Sequence, residues 1–520
     1  MLKADIALPD LSHDPQWRDD AIVLGDSRIT PHAHPSLEAW LVRTKGQWFA
    51  IVRERTASAD AAAAARDVDN EEFQRLYRQC LLWPLDYVMI EAAQMGCRMK
   101  VRAGVFGSLP LYCRATQNSV KLSWDVTDLA TEPLAIDAEI ASHRLAMNTV
   151  YSARQLGVGI QLLTERASFE VEPGRASYRY PTPAAETSPM PLPAGRDALS
   201  MFDELLQRAV SVRPMAANRI SLELSGGMDS ASVACALAKR HGPVASRGIL
   251  LDGHVRQPQV QRREQIAKRL GLFDDTVEMT AFPPDLDIQR PVLSKSLSRE
   301  YYLEACSALW SKARVQGHDV LFTGIGGDEL FPSYLDEVQK QDPSTTGREH
   351  EVRHYAMQLL TPHARSAATS LRSFDAPPSP VSSTALLAHA CRAPDLVRHG
   401  LWPVNPLSDP GLIAFCHRLP REHRQGRELI RQYLQAHLGD EVFPSNYTKE
   451  TFAGVFPELI SHHASSLAAQ LGDCALADLG LVDQRAALSL LELVAATKAS
   501  APTTAFTSFL WLERCVRELH

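Results

Sequence analysis

Apolar and polar positions follow two different rhythms along this chain, and the rhythm changes near residue 196. Before that point, short runs of period two dominate. Residues 39–42 (Ala-Trp-Leu-Val) and 48–52 (Trp-Phe-Ala-Ile-Val) predict strands on either side of a turn at Lys45-Gly46. Residues 57–69 are Ala-rich and charged, which predicts an exposed helix or a mobile loop, and residues 71–83 carry a helical period. Residues 99–105 and 109–113 predict a hairpin around Gly107-Ser108, residues 120–124 a further strand, and 173–180 an edge strand. The sum is an α+β unit rich in antiparallel sheet. Residues 181–195 then hold five prolines and few apolar side chains, the composition of an extended linker.

After residue 196, strands alternate with helices. An amphipathic helix is predicted over 198–210, strands over 219–224, 247–251, 276–280 and 319–323, and helices over 231–240, 260–270 and 299–315. This alternation predicts an α/β unit with a doubly wound parallel sheet, whose ligands bind at the carboxyl ends of the strands. Residues 339–351 are polar and predict a mobile stretch, residues 375–383 form a Pro/Ser-rich loop, and the remainder reads as helical, including 412–419 and 427–437. The expected organisation is a unit over 1–180, a linker over 181–195 and a second unit over 196–520.

The first candidate chemistry sits in the first strand-to-helix turn of the second unit, Ser225-Gly226-Gly227-Met228-Asp229-Ser230. Two glycines let the backbone turn sharply and come close to a ligand. The amides of Gly226, Gly227, Asp229 and Ser230 open a helix, where the dipole favours anions, and Ser225 and Ser230 add hydroxyls. No Gly-Lys-Ser/Thr follows, so this phosphate cradle is not of the Walker type. A second glycine motif, Gly324-Ile325-Gly326-Gly327-Asp328-Glu329, ends a later strand of the same sheet. Carboxylates that face a phosphate loop call for a cation between them, and Mg²⁺ held by one or two carboxylates plus phosphate oxygens is the natural one. Asp328 and Glu329 supply the carboxylates of this motif, and Gly326 and Gly327 join the candidate nucleotide-binding residues. Lys449 lies in a polar, Gly-terminated segment unsuited to a core helix.

Bulk numbers narrow the classes. In 520 residues, 45% hydrophobic and 22% charged content is that of a globular protein of two or three domains. A net charge of −7 argues against a generic nucleic-acid binder. No apolar run approaches a membrane span, and the first ten residues do not read as a signal peptide. The nine cysteines are odd in number and form no Cys-x-x-Cys pair, which indicates reduced thiols in a cytoplasm. His462-His463 and His417/His423 lack a convincing metal-ligand spacing.

The two glycine motifs, together with Asn405-Pro-Leu-Ser-Asp409 and Tyr447-Thr-Lys-Glu-Thr-Phe452, resemble the asparagine synthetase superfamily of ATP pyrophosphatases. The resemblance is good over 196–460. It extends weakly to the N-terminal unit, where Gly46-Gln-Trp-Phe-Ala-Ile and Gly107-Ser-Leu-Pro-Leu-Tyr112 look like remnants of a glutaminase domain. Glutamine-using members carry Cys directly after Met1, a thiol that works only next to its own α-amine. Here residue 2 is Leu and the first cysteine is Cys80. Ile325 also stands where asparagine synthetases carry Glu and β-lactam synthetases carry Tyr.

The resemblance therefore implies a branch without glutaminase activity that draws its amine from the substrate. A carboxylate attacks ATP to give an acyl-adenylate and pyrophosphate, and an amine then gives the amide and AMP. The resemblance also implies Asp229 and Asp328 as the metal ligands. Lys449 would meet the developing charge, and Glu329, or a substrate amine that binds already neutral, would stand in for the missing base. The leading expectation is a lasso-peptide macrocyclase that uses ATP and Mg²⁺, a precursor peptide and a separate leader-removing protease. The alternatives are a β-lactam-synthetase-like or other small-molecule amide ligase, and a non-catalytic nucleotide-binding scaffold.

Overall fold

The computed structural model describes residues 1–520 except 57–63, 95–96, 186, 193–194, 291–296, 298–299, 333–343, 445–446 and 448–449. The N-terminal unit is built on two seven-stranded sheets. One runs in the order Ile160–Leu162, Tyr112–Ala115, Ser119–Ser123, Leu2–Ala7, Ser27–Pro31, Ala21–Leu24, Gln16–Arg18. The other runs Arg175–Arg179, Ser168–Glu172, Arg98–Ala103, Tyr87–Ala93, Gln47–Glu54, Leu37–Thr44, Ala64–Asp67. Period two explains the packing. Trp48, Ala50 and Val52 face the other sheet, whereas Phe49 and Ile51 face the helix Asn70–Leu81 through Phe73 and Leu76.

Two expectations for this unit need correction. Residues 99–105 and 109–113 do not form a hairpin, because Arg98–Ala103 belongs to one sheet and Tyr112–Ala115 to the other. The chain crosses between sheets here, with Leu109 and Leu111 buried in the space between them. The glycine that begins the crossing, Gly104, packs so closely that an added Cβ would lie 2.4 Å from Asp86 Oδ1. Residues 64–67 are also neither helix nor mobile loop. They pair in parallel with Leu37–Thr44, and Arg43 Nε donates to Asp67 Oδ1 at 2.8 Å; residues 57–63 lie outside the described residues.

The C-terminal unit holds a five-stranded, all-parallel sheet in the order Phe273–Glu278, Ala245–Leu250, Ile220–Glu223, Val320–Phe322, Trp402–Val404. Ile220, Leu222, Val320 and Phe322 face the helices Ala198–Ser211 and Met228–His241. Leu321, Val277 and Leu251 face Leu303–Val315 on the opposite side. Helices thus cover both faces, as the alternating pattern predicts. The strand Trp402–Val404 was not foreseen. It has three residues with Pro403 in the middle, and a proline is tolerated there because the strand is an edge. The polar stretch over 339–351 is also corrected from residue 344 onward, which starts the helix Ser344–Leu359; residues 339–343 lie outside the described residues. Among the described residues, no helix is long and apolar enough to cross a membrane.

The two units meet over a buried carboxylate. Glu54, fully buried at the end of Gln47–Glu54, accepts two hydrogen bonds from Arg213, at 2.8 Å each, and one from Trp402 Nε1 at 2.7 Å. The Asp86 amide adds a fourth bond at 3.1 Å. Glu54→Leu leaves the Arg213 guanidinium buried without a counter-charge and should lower folding stability by about 3–5 kcal/mol. Glu54→Leu with Arg213→Met should recover part of the loss. Unfolding midpoints in urea provide the check, and an unchanged midpoint in the single variant contradicts this role.

Candidate active site

The central strand Ile220–Glu223 delivers the chain into the 225–230 loop, and the helix Met228–His241 leaves it. Gly226 has φ +98°, a left-handed conformation that needs glycine. Gly227 is the N-cap and brings no capping side chain, so the loop does not fill its own helix terminus from that position. Ser225 and Ser230 are bonded to each other, Oγ to Oγ at 3.1 Å, and Ser225 Oγ accepts from the Gly227 amide at 3.2 Å. The two serines thus hold the loop in shape while still lining the cleft.

The second motif approaches this loop at backbone distance. A Cβ on Gly324 would lie 2.8 Å from the Ser230 amide nitrogen, and one on Gly327 would lie 2.2 Å from Asp229 Oδ1. Gly326, at φ +101°, would meet Ser408 Oγ at 2.5 Å. Gly326 and Gly327 are therefore spacers on their Cβ side, where protein atoms fill the room that a side chain would need. The 405–409 motif buttresses the turn. Thr323 Oγ1 donates to Asn405 Oδ1 at 2.6 Å and Ser408 Oγ to the Ile325 carbonyl at 3.2 Å, while Asp409 caps the helix Pro410–Arg418.

Asp229 and Asp328 are brought together, and they converge on a positive group. Arg427 Nη1 donates to Asp328 Oδ1 at 3.2 Å, and its Nη2 pairs with Asp229 Oδ1 and reaches the Gly327 carbonyl at 3.2 Å. Glu329 takes another direction. Its Oε1 accepts from Thr384 Oγ1 at 2.7 Å, and it is not among the residues that line the cleft. The one-turn helix Gly327–Leu330 points adjacent carboxylates to different sides, which weakens Glu329 as a base. Lys449 lies outside the described residues, but Tyr447 and Glu450 line the cleft.

The cleft measures about 1610 Å³. Its far wall is another charged group: Glu223 holds Arg392 through two 2.8 Å bonds and Trp310 Nε1 at 2.7 Å, and Arg392 Nε lies 2.9 Å from Glu300. Cys306 stands beside it, and burial pushes its thiol well up, so it is no ready thiolate. No histidine is among the described lining residues. Arg392, on the largely buried helix Ser383–Arg398, and Arg427, the N-cap of Glu428–Leu438, escape a reading of the sequence because the residues they bind lie far off along the chain. Gln259 escapes for the same reason. Its amide donates to the Ser225 carbonyl at 3.0 Å and the Ile249 carbonyl at 3.1 Å, and accepts from the Leu251 amide at 3.0 Å, which ties the loop to the neighbouring strand.

The family described as asparagine synthase matches residues 201–514. Among solved structures, the U34-tRNA thiolase NcsA from Methanococcus maripaludis aligns at 12% identity over 49% of this chain and 84% of its own, with a TM-score of 0.21. The glutamine phosphoribosylpyrophosphate amidotransferase from B. subtilis aligns at 11% identity over 58% and 77%, with a TM-score of 0.19. No curated protein matches the sequence.

The close approach of the two motifs is open to direct test. Gly324→Ala and Gly327→Ala should each cost about 1–3 kcal/mol by overpacking and should weaken nucleotide binding. Gly347→Ala, on the exposed helix Ser344–Leu359 with nothing within 4 Å of the new methyl, should be neutral or stabilising. Thermal unfolding and nucleotide titration read both effects, and wild-type behaviour of Gly324→Ala contradicts the packing argument.

Proposed function

Because the chain belongs to the asparagine synthase family, we propose that it joins a carboxylate to an amine within one peptide, converting ATP to AMP and pyrophosphate in the manner of a lasso-peptide macrocyclase. The observation that carries the reading is the helix terminus at Gly227–Met228, uncapped by a Gly227 side chain, where Asp229 of its own first turn and Asp328 of the second motif converge on Arg427.

The amides at the start of Met228–His241 hold the departing pyrophosphate, where fixed dipoles act on developing charge. Asp229 and Asp328 suit a hard cation, since their oxygens surround the Arg427 guanidinium; Mg²⁺ bound there supplies charge neutralisation on the phosphates. Arg427 is then placed to meet a phosphate oxygen. Lys449, beside the cleft-lining Glu450, stabilises the adenylation or acyl-transfer charge. Ile325 lines the cleft but carries no proton, and Glu329 turns to Thr384, so the acceptor amine enters in its neutral form. The walls hold both reacting ends, and orientation contributes much of the acceleration.

The cleft leaves room for a peptide segment beside the nucleotide. The cleft of about 1610 Å³ exceeds the roughly 300–1,000 Å³ usual for small-molecule pockets. The amine is drawn from the substrate because Leu2 sits fully buried in the strand Leu2–Ala7, where a glutaminase needs its thiol. The N-terminal amine of the precursor is exposed first by a separate leader-removing protease, and the reaction takes place in the cytoplasm.

Incubation with ATP, Mg²⁺, that protease and the precursor peptide should give AMP and pyrophosphate and a product lighter by one water, with fragmentation placing the new bond inside a ring. ADP as the main product contradicts the reading, and a product carrying an added amino acid or ammonia moves the protein to small-molecule ligation. Asp229→Asn and Asp328→Asn should each lower the rate by about two to four orders of magnitude. Lys449→Ala should lower kcat with little change in KM for ATP, and Lys449→Arg should not restore it.

A further inference from the structure

Beside the phosphate loop lies a buried ion pair that the mechanism above does not use. Arg262, on the helix Arg256–Leu270, and Glu450 have side chains only 10% and 7% exposed. Arg262 Nε donates to the Gly226 carbonyl at 2.9 Å, and its Nη2 pairs with Glu450 Oε1. The guanidinium also lies 4.6 Å from the centre of the Tyr447 ring, whose hydroxyl donates to Glu450 Oε2 at 3.3 Å. A Cβ on Gly226 would be 3.5 Å from Glu450 Oε1, so the glutamate rests directly against the loop.

We propose that Arg262 is a positioning residue that couples the phosphate loop to the segment of Tyr447 and Glu450. The peptide unit is planar, so a held Gly226 carbonyl also fixes the direction of the Gly227 N–H. Two glycines give that plane little steric restraint, so the long 3.2 Å bond from the Gly227 amide to Ser225 Oγ gains a second anchor in Arg262. The same guanidinium fixes Glu450, and with it the cleft wall that Tyr447 and Glu450 form. Stability alone does not call for such a pair, because well-packed apolar residues commonly replace a buried ion pair without loss. Tyr447 and Glu450 line the cleft, and Gly226 sits between the lining residues Ser225 and Gly227, where a fixed geometry matters for charge stabilisation. The proposal rests on the 225–230 loop being the pyrophosphate site.

Hydrogen exchange on the full-length protein provides the test, since it needs no substrate. Arg262→Met and Glu450→Gln should each speed exchange of the amides over 450–454 about tenfold, and the double variant should do no more than either single one. Arg262→Lys keeps the charge, but a compact ammonium lacks the fork that reaches both partners. It should recover the melting temperature but not the protection. In turnover, all three single variants should lower kcat for AMP formation more than they raise KM for ATP.

Several outcomes overturn the proposal: unchanged exchange over 450–454, effects that multiply in the double variant, or complete rescue by Arg262→Lys. Glu450→Gln, which is isosteric, keeps the test decisive if Arg262→Met folds poorly. Protein that shows the coupled protection yet forms no AMP sinks the adenylation reading and leaves the coupling standing.

Discussion

Three chain segments meet at the carboxyl ends of the parallel strands with no room for a side chain between them. The backbone of the 225–230 loop, the 324–327 turn and the 405–409 turn approach so closely that Gly324, Gly326 and Gly327 cannot carry a Cβ without striking Ser230, Ser408 or Asp229. This contact sets the separation of Asp229 from Asp328, and hence the size of the charge that fits between them. Strand order supports it: Ile220–Glu223 and Val320–Phe322 are hydrogen-bonded neighbours, so loops distant in sequence emerge side by side.

What the sequence revealed, and what it hid, follows from the range over which each signal acts. The strand–loop–helix unit at residues 220–241 was legible because its signals are local: alternation, two glycines, then an Ala-rich run. The glycines of the second motif correctly announced a close approach, but a glycine does not say what comes close, and Asp229 and Ser408 are among the groups that do. The same ambiguity made Gly107-Ser108 look like a hairpin tip where the chain instead crosses between sheets. Arg427, Gln259 and Arg392 were invisible because their partners lie far off in sequence. The strand Trp402–Val404 was missed because three residues around a proline carry no period at all.

The electrostatics of the cleft share one design. Guanidinium groups answer carboxylates at each wall: Arg427 with Asp229 and Asp328, Arg392 with Glu223 and Glu300, and Arg262 with Glu450. Arginine suits this work because its planar fork serves two acceptors at once and keeps its charge when desolvated. The walls are thereby fixed by pairs whose geometry is stiff, while Ile325, Tyr302 and Phe452 leave apolar surface between them.

The buried carboxylate of Glu54 has a consequence for the history of the fold. It binds Arg213 and Trp402, and Trp402 begins the edge strand whose following turn buttresses the second glycine motif. A descendant that shed its N-terminal sheets would uncover a desolvated guanidinium and an indole at the root of its own nucleotide cleft. A gene shortened to its second half would thus leave Arg213 and Trp402 without the carboxylate they share. The sheets can drift elsewhere in sequence while this carboxylate keeps its place between the two halves.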